Sequence, residues 1–313
     1  VRAVVMEEFG GPEVLRLTEV PEPDKRPAHT PLTVSRAGVN FADLHARTDS
    51  YLAPVELPYI PGNEVLGTDP DGRRVTALLS GGGYAERAQA HRRLVYPVPD
   101  DVDDDQAAGL TLQGCTAWHL LHTVLGIASK ERVVVPAAAG GVGSLALQLA
   151  RSAGARPIAL ASTEDKRRLA LDLGAHAAVD SSITDRLSER IKDAAGGAVE
   201  AALEMTGGET HLEILRSLAP RGRMAVYGYA GGDPTPAAGK LLLENSLSVT
   251  GFWLPHYYGA RTALADSLRE LYGLVRSGDL KPLPSLTYKL ADAAQAHRDL
   301  SARVTQGKLT LIT

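Results

Sequence analysis

The residues best suited to chemistry lie in one run, Val133-Val134-Val135-Pro136-Ala137-Ala138-Ala139-Gly140-Gly141-Val142-Gly143. An apolar strand enters a glycine turn. The turn opens a helix whose Val142, Leu145, Leu147, Leu149 and Ala150 are spaced to pack against a sheet. Set against the pattern Gly-x-Gly-x-x-Gly, the first glycine position holds Ala138, while Gly140 and Gly143 keep the spacing. Gly140 and Gly141 let the backbone come close to a pyrophosphate, and Gly143 lets the helix lie against the strand. The first helical N–H groups then face the anion. Such glycines also make tight turns in other α/β proteins. The strand before the turn, the helix after it and the repeated β-α units around it favour a dinucleotide site.

The end of the following strand bears on which dinucleotide. An NAD site usually places an acid there, ~20 residues past the glycines, to bond the ribose hydroxyls. This chain reads Ala159-Leu160-Ala161-Ser162-Thr163-Glu164-Asp165-Lys166-Arg167-Arg168, with no acid at the strand end. Ser162 and Thr163 can donate to a phosphate and Lys166 can set its charge beside it, which favours NADPH. Glu164 and Asp165 count against this, and a Ser or Thr capping a solvated helix is the plain alternative.

The elements that must position these residues follow from texture. Early in the chain, short β-branched runs (2–6, 31–37, 74–79, 94–98) sit between Pro, Gly and Asp, as in a largely β domain. Strand-like 132–136, 157–161, 177–180, 198–205, 223–227 and 247–251 then alternate with helical segments, which predicts parallel βαβ units in a doubly wound sheet. A helix-like stretch over 259–276, a run at 286–290, a helix near 292–304 and a closing strand over 308–312 complete the chain. The closing strand is expected to rejoin the first sheet. The expected domains are therefore 1–110 with 255–313, and 111–254.

Composition narrows the function. At ~150 residues per domain, 313 residues suit two domains. With 33 basic and 37 acidic residues, a net charge of −4 and no basic block, neither a nucleic acid nor an anionic membrane is an expected partner. One cysteine, Cys115, leaves no internal disulfide framework and no Cys-rich zinc module. No stretch approaches the ~18 apolar residues of a membrane span, and Val1–Val5 is too short for a signal-peptide core. A cytoplasmic location is expected.

The ordered motifs of the chain resemble the zinc-free NADPH:quinone oxidoreductase (zeta-crystallin-like) branch of the medium-chain dehydrogenase/reductase superfamily. They are Phe9-Gly10-Gly11-Pro12-Glu13-Val14-Leu15, Ala37-Gly38-Val39-Asn40-Phe41-Ala42-Asp43 and Leu57-Pro58-Tyr59-Ile60-Pro61-Gly62-Asn63-Glu64. Gly83-Tyr84-Ala85-Glu86, Gly114-Cys115-Thr116-Ala117, the cofactor turn and Gly307-Lys308-Leu309 follow in the family's order. The resemblance implies a GroES-like twisted β catalytic domain built from both termini, a central Rossmann domain and a cleft between them. It places Asn40 and Thr116 near the nicotinamide, Tyr51 on the substrate side, and Gly140, Gly141 and Val142 on the pyrophosphate. Lys166 would meet the adenosine 2′-phosphate, and Gly228 and Phe252 would line the nicotinamide pocket. Two departures stand out: Ser181 replaces a common tyrosine near that phosphate, and the loop from Gly67 to Val75 is short.

Where zinc relatives carry Cys and His, this chain carries Asn40 and Asn63, and an amide is a poor zinc ligand. His119 and His122, three apart, lack an acidic or Cys partner nearby and are expected in surface or interdomain polar contacts. Cys115, among small and apolar neighbours, reads as a buried small hydrophobe. Hydride transfer is the chemistry that remains, with Tyr51 and Asn40 as candidate donors to an acceptor oxygen. The expected substrates are quinones or small α,β-unsaturated carbonyls.

Two alternatives stay open. An enoyl-thioester reductase of fatty-acid or polyketide type would favour a basic patch such as Arg47, Arg73, Arg74, Arg92 and Arg93, and a non-catalytic NADPH-binding crystallin-like protein would need no acceptor. Phe252, Trp253, His256, Tyr257 and Tyr258 form an aromatic cluster that suits either packing or a substrate wall. The strand over 247–251 is expected at the sheet edge, where pairing with a second copy would give a homodimer.

Overall fold

The computed structural model describes residues 1–232, 235–236, 238–260 and 262–313. The chain forms two compact units, Val1–Leu112 with Pro282–Thr313, and Gln113–Lys281. The return to the first unit thus falls well after residue 255, where the sequence reading placed it. The amphipathic helix Ala263–Ser277 buries Leu264, Leu268, Leu271 and Val275 within the second unit. Its pattern shows that it packs, not against which unit. Arg261, inside the stretch read as helix, lies outside the described residues.

The first unit holds a seven-stranded sheet whose path runs Leu286–Lys289, Leu309–Ile312, His29–Val39, Glu64–Thr68, Arg74–Leu78, Val95–Pro97, with Arg87–His91 also paired to His29–Val39. Along His29–Val39, Leu32 and Val34 point into the core while Pro31, Thr33 and Ser35 are exposed, the two-residue period of a strand with one buried face. A register shift between Val34 and Arg36 marks a bulge. The closing strand pairs antiparallel with His29–Val39, Leu309 opposite Val39, so the C-terminal residues do rejoin the first sheet. Glu64–Thr68 and Arg87–His91 escaped the sequence reading: the first opens on a charge, and the second has no β-branched residue. The short loop after Thr68 is a hairpin turn. Asp69 accepts from the N–H groups of Asp71 and Arg73, both at 3.0 Å, and Thr68 faces Arg74.

The second unit is a six-stranded parallel sheet in the order Ala177–Asp180, Arg156–Ala161, Arg132–Val135, Val199–Glu204, Leu218–Val226, Ser248–Gly251. By sequence rank this is 3-2-1-4-5-6, the doubly wound arrangement whose order reverses beside its first strand. Val133, Val134, Val135, Ile158, Leu160, Ala202 and Leu203 are buried, as strands covered on both faces require. Among the described residues, Ser248–Gly251 pairs on one side only, with Leu218–Val226, and forms the sheet edge. Among the described residues, no helix is long and apolar enough to cross a membrane.

Candidate active site

Because all strands of the second unit run parallel, their carboxyl ends share one edge, and most of the expected cofactor residues gather there. The glycine turn follows Arg132–Val135, Ser162 follows Arg156–Ala161, Gly228 lies two residues past Leu218–Val226, and Phe252 follows Ser248–Gly251. The helix Gly141–Ser152 starts at Gly140, which has no side chain to cap it, and Gly140, Gly141 and Val142 are partly exposed. Its first N–H groups therefore suit an anion. A Cβ on Gly143 would strike the Ala137 carbonyl, and one on Gly141 would strike the Gln113 side chain. Both glycines answer to a close approach, Gly143 to the turn's own backbone and Gly141 to a neighbouring side chain. Thr116 is buried on Cys115–His119, just ahead of a π-turn over Leu120–Val124.

At the adenosine end, Thr163 caps the helix Glu164–Asp172 and accepts from the Lys166 N–H at 3.3 Å. Thr163 is thus a helix cap, the plain alternative of the sequence reading. Ser162 is exposed and Lys166 half-buried. Arg167 is held by Asp180 at 3.4 Å and donates to the Ala161 carbonyl, so of the basic trio it is spent on the fold. Ser181 donates its N–H to the same carbonyl at 3.2 Å.

In the first unit, Asn40 precedes the helix Phe41–Arg47 and is buried. The Asp43 carboxylate reaches back to the Asn40 N–H at 2.8 Å and also accepts from the Gly62 N–H at 3.1 Å. Burial raises the Asp43 carboxyl to about 6, against the lowering effect of these N–H groups, Lys308 and Tyr84. The Tyr84 hydroxyl bonds Asp43 and lies 3.0 Å from His297 Nε2, while Arg47 lies 3.2 Å from His297 Nδ1. Burial, then the Arg47 charge, depress His297 to about 3, so it is neutral. A guanidinium only donates, so His297 Nδ1 accepts from Arg47 and Nε2–H donates to Tyr84, whose O–H donates to Asp43. The direction of the whole chain follows from its Arg47 end. Tyr51 sits half-buried in the segment after the helix.

Beside this chain lies a buried ion pair. Lys308 Nζ donates to Glu64 Oε2 at 2.5 Å and to Asn40 Oδ1 at 2.9 Å, and Glu64 Oε1 accepts from the Leu112 N–H at 2.7 Å. Asp43, Glu64, Tyr84, His297 and Lys308 were not named as functional by the sequence reading, although four of them lie in the quoted motifs. The usable signal was a lone acid opening an apolar strand, Glu64-Val65-Leu66, and a lone base before another, Lys308-Leu309.

Two readings need revision. His119 is not at a surface: it is buried in a cluster with Phe252 and Tyr257, ring centroids 6.4 and 4.8 Å away, with Nδ1 2.9 Å from Thr123 Oγ1. Stacking against flat neighbours absorbs the ring as packing. Part of the aromatic cluster thereby packs inside the second unit. Three of the five arginines named for a basic patch are engaged within the first unit. Arg47 is buried, donating to the Gly10 carbonyl; Arg73 pairs with Asp69 and Asp71, and Arg74 with Asp104. Cys115 is buried, as its neighbours suggested. Among the described residues, no group of three or more His, Cys, Asp or Glu is arranged to hold a metal ion.

Comparison with known proteins bears directly on this arrangement. The zinc-binding dehydrogenase family profile matches residues 141–270, within the second unit. A quinone oxidoreductase from Pseudomonas aeruginosa is 32% identical, with 97% of both chains covered. The chain belongs to the zinc-free quinone oxidoreductase branch of the medium-chain dehydrogenase/reductases. A 2-haloacrylate reductase from a Burkholderia species is also 32% identical, over 100% of this chain and 99% of that one. The solved quinone oxidoreductase of Escherichia coli, complexed with NADPH, superposes with a TM-score of 0.94 at 31% identity and full coverage of both chains. The branch's Rossmann and GroES-like folds are thus the second and first units described above.

Proposed function

We propose that this protein is an NADPH-dependent, zinc-independent reductase that delivers hydride to quinones or small α,β-unsaturated carbonyls. The observation that carries the reading is the glycine-led, partly exposed helix start at Gly140, set at the carboxyl edge of a doubly wound sheet. The residues present fit NADPH: the glycine turn offers backbone N–H groups, Ser162 follows the next strand, and Lys166 sits in the first turn of the helix after it. When bound, NADPH supplies the hydride. In this reading Gly140, Gly141, Val142 and Gly143 hold the pyrophosphate, Ser162 and Lys166 the 2′-phosphate, and Thr116, Gly228 and Phe252 the nicotinamide.

Asn40 orients the acceptor through its amide and stabilises charge developing on the acceptor oxygen. The accompanying proton comes from the Tyr51 hydroxyl or from water. The relative named for 2-haloacrylate, an unsaturated acid, supports an activated alkene as acceptor alongside quinones. The mostly paired arginines give no support to a long acyl-carrier substrate. We further propose a cytoplasmic homodimer formed through Ser248–Gly251. That edge is unpaired on one side in the described chain, and the helix before it exposes Leu243 at 85%. Light scattering giving a monomer mass at micromolar concentration contradicts the dimer.

Mixing the protein with NADPH and a panel of quinones, enones and enoyl thioesters, while following cofactor oxidation, tests the reading. Turnover of quinones or enones is expected. Tight NADPH binding without any turnover contradicts it and leaves the crystallin-like alternative.

A further inference from the structure

The geometry points to Lys308 as the positioning residue that sets which face of the Asn40 amide meets the acceptor. This inference rests on the proposed role of Asn40 as donor. Three observations meet here. Asn40, Glu64 and Lys308 are all buried, at 5%, 2% and 2% exposure, although Asn40 and Lys308 are 268 residues apart. Lys308 divides its donors between Glu64 and Asn40, and Glu64 is anchored in turn by the Leu112 N–H. Space for the pair is reserved at Gly38, where a Cβ would strike Glu64 Oε2 and lie 2.7 Å from Lys308 Nζ.

An amide presents either its oxygen or its NH2 group, and the two ends differ little in shape. An ammonium has donors only, so the end of Asn40 that faces Lys308 is its oxygen. The NH2 group is thereby held on the other arm of the amide, and that arm is the one able to donate. A carbonyl oxygen that gains negative charge during hydride arrival needs such a donor and is repelled by the amide oxygen. Glu64 keeps the ammonium from wandering. The Asp43 carboxylate fixes the backbone of the same residue through its N–H. Lys308 never touches the acceptor; it acts through Asn40. The acceptor class selected is therefore one with a lone-pair oxygen beside the reducible carbon: quinone, enone or unsaturated acid.

Two readouts test the assignment. In Lys308→Met, kcat with an enone should fall by up to roughly a hundredfold, the lower edge of the range for losing an oriented donor outright, while KM for NADPH stays put. Because this leaves Glu64 buried without its cation, Glu64→Met/Lys308→Met serves as the charge-neutral companion and should show the same kcat loss. In an Asn40→Ala background neither change should lower kcat further. Full additivity there assigns Lys308 to the fold alone and overturns the inference. If Asn40→Ala leaves kcat unchanged, the role of Asn40 fails, and the inference with it. If the parent turns over no acceptor, the functional reading has failed on its own. The orientation is then judged by the Asn40 side-chain NH2 signals in a nitrogen-15 amide spectrum, identified by their loss in Asn40→Ala. A shift of that pair in Lys308→Met supports the assignment; an unmoved pair overturns it.

Discussion

Polar groups are handled in contrasting ways in the two units. In the second, the groups proposed for the cofactor are backbone N–H groups at the helix start after Gly140, with Ser162 and Lys166 as the proposed side chains at the margin. In the first, the polar groups around Asn40 are side chains, buried and paired with one another: Lys308 with Glu64, and Arg47 through His297 and Tyr84 to Asp43. A diphosphate needs many donors and tolerates variation in direction, which a glycine turn supplies without side chains. An acceptor oxygen needs one donor at one angle, and buried, mutually satisfied partners hold an amide there. The difference predicts where each unit breaks.

The largest effect should come from His297. Its folded pKa is depressed from 6.5 to about 3, so as pH falls below 6.5 the unfolded chain takes up a proton that the folded chain does not. Stability from this group is complete above pH 6.5 and is lost toward pH 3, by on the order of 4–5 kcal/mol at 1.36 kcal/mol per unit. Asp43 works in the opposite sense. Its folded pKa is raised from 3.8 to about 6, so in that window the folded chain holds the extra proton and stability falls as pH rises. His297→Gln keeps an acceptor for Arg47 and a donor for Tyr84 but does not titrate. Urea unfolding at pH 7, 5 and 4 should show the variant gaining on the parent as pH falls. A constant difference would mean that His297 is not held neutral.

Next comes Lys166→Ala. If the ammonium meets the 2′-phosphate, a charge-assisted contact of about 1.5–3 kcal/mol is lost, roughly 10- to 150-fold in NADPH affinity. NADH, lacking that phosphate, should bind as before. Calorimetric titration with both cofactors checks this, and equal losses would remove the NADPH assignment. Ser181, with no tyrosine ring to offer, places the effect toward the low end.

Gly38→Ala sharpens the comparison from the other side. Its Cβ would push on the buried ion pair, and overpacking of this kind costs roughly 1–3 kcal/mol. Thermal unfolding should register that cost, and kcat should drop while NADPH affinity holds. Loss of NADPH affinity with unchanged kcat would reverse the division of labour between the units. The smallest effect is expected at Thr163→Ala, where a lost helix cap costs about 1 kcal/mol and shifts unfolding more than catalysis.

The doubly wound sheet, the glycine turn and the closing strand were legible because each leaves a local mark: an apolar run, a glycine spacing, an alternation. Asn40 was reached through its motif. Its partners were not, because a buried pair such as Lys308 and Glu64 joins residues 244 apart, and neither periodicity nor spacing records that distance. His297 and Arg47, 250 apart, escaped for the same reason. His119 misled because a histidine beside another histidine looks solvated until the rings around it are seen.

Reduction of an enone with NADPH carrying deuterium at the transferable position of its nicotinamide tests the central claim most directly. Mass spectrometry of the product locates the label. The account predicts one deuterium at the carbon β to the carbonyl, with the yield unaffected by prior treatment with a chelator. A product without deuterium, or a yield abolished by the chelator, would contradict metal-free hydride transfer by this protein.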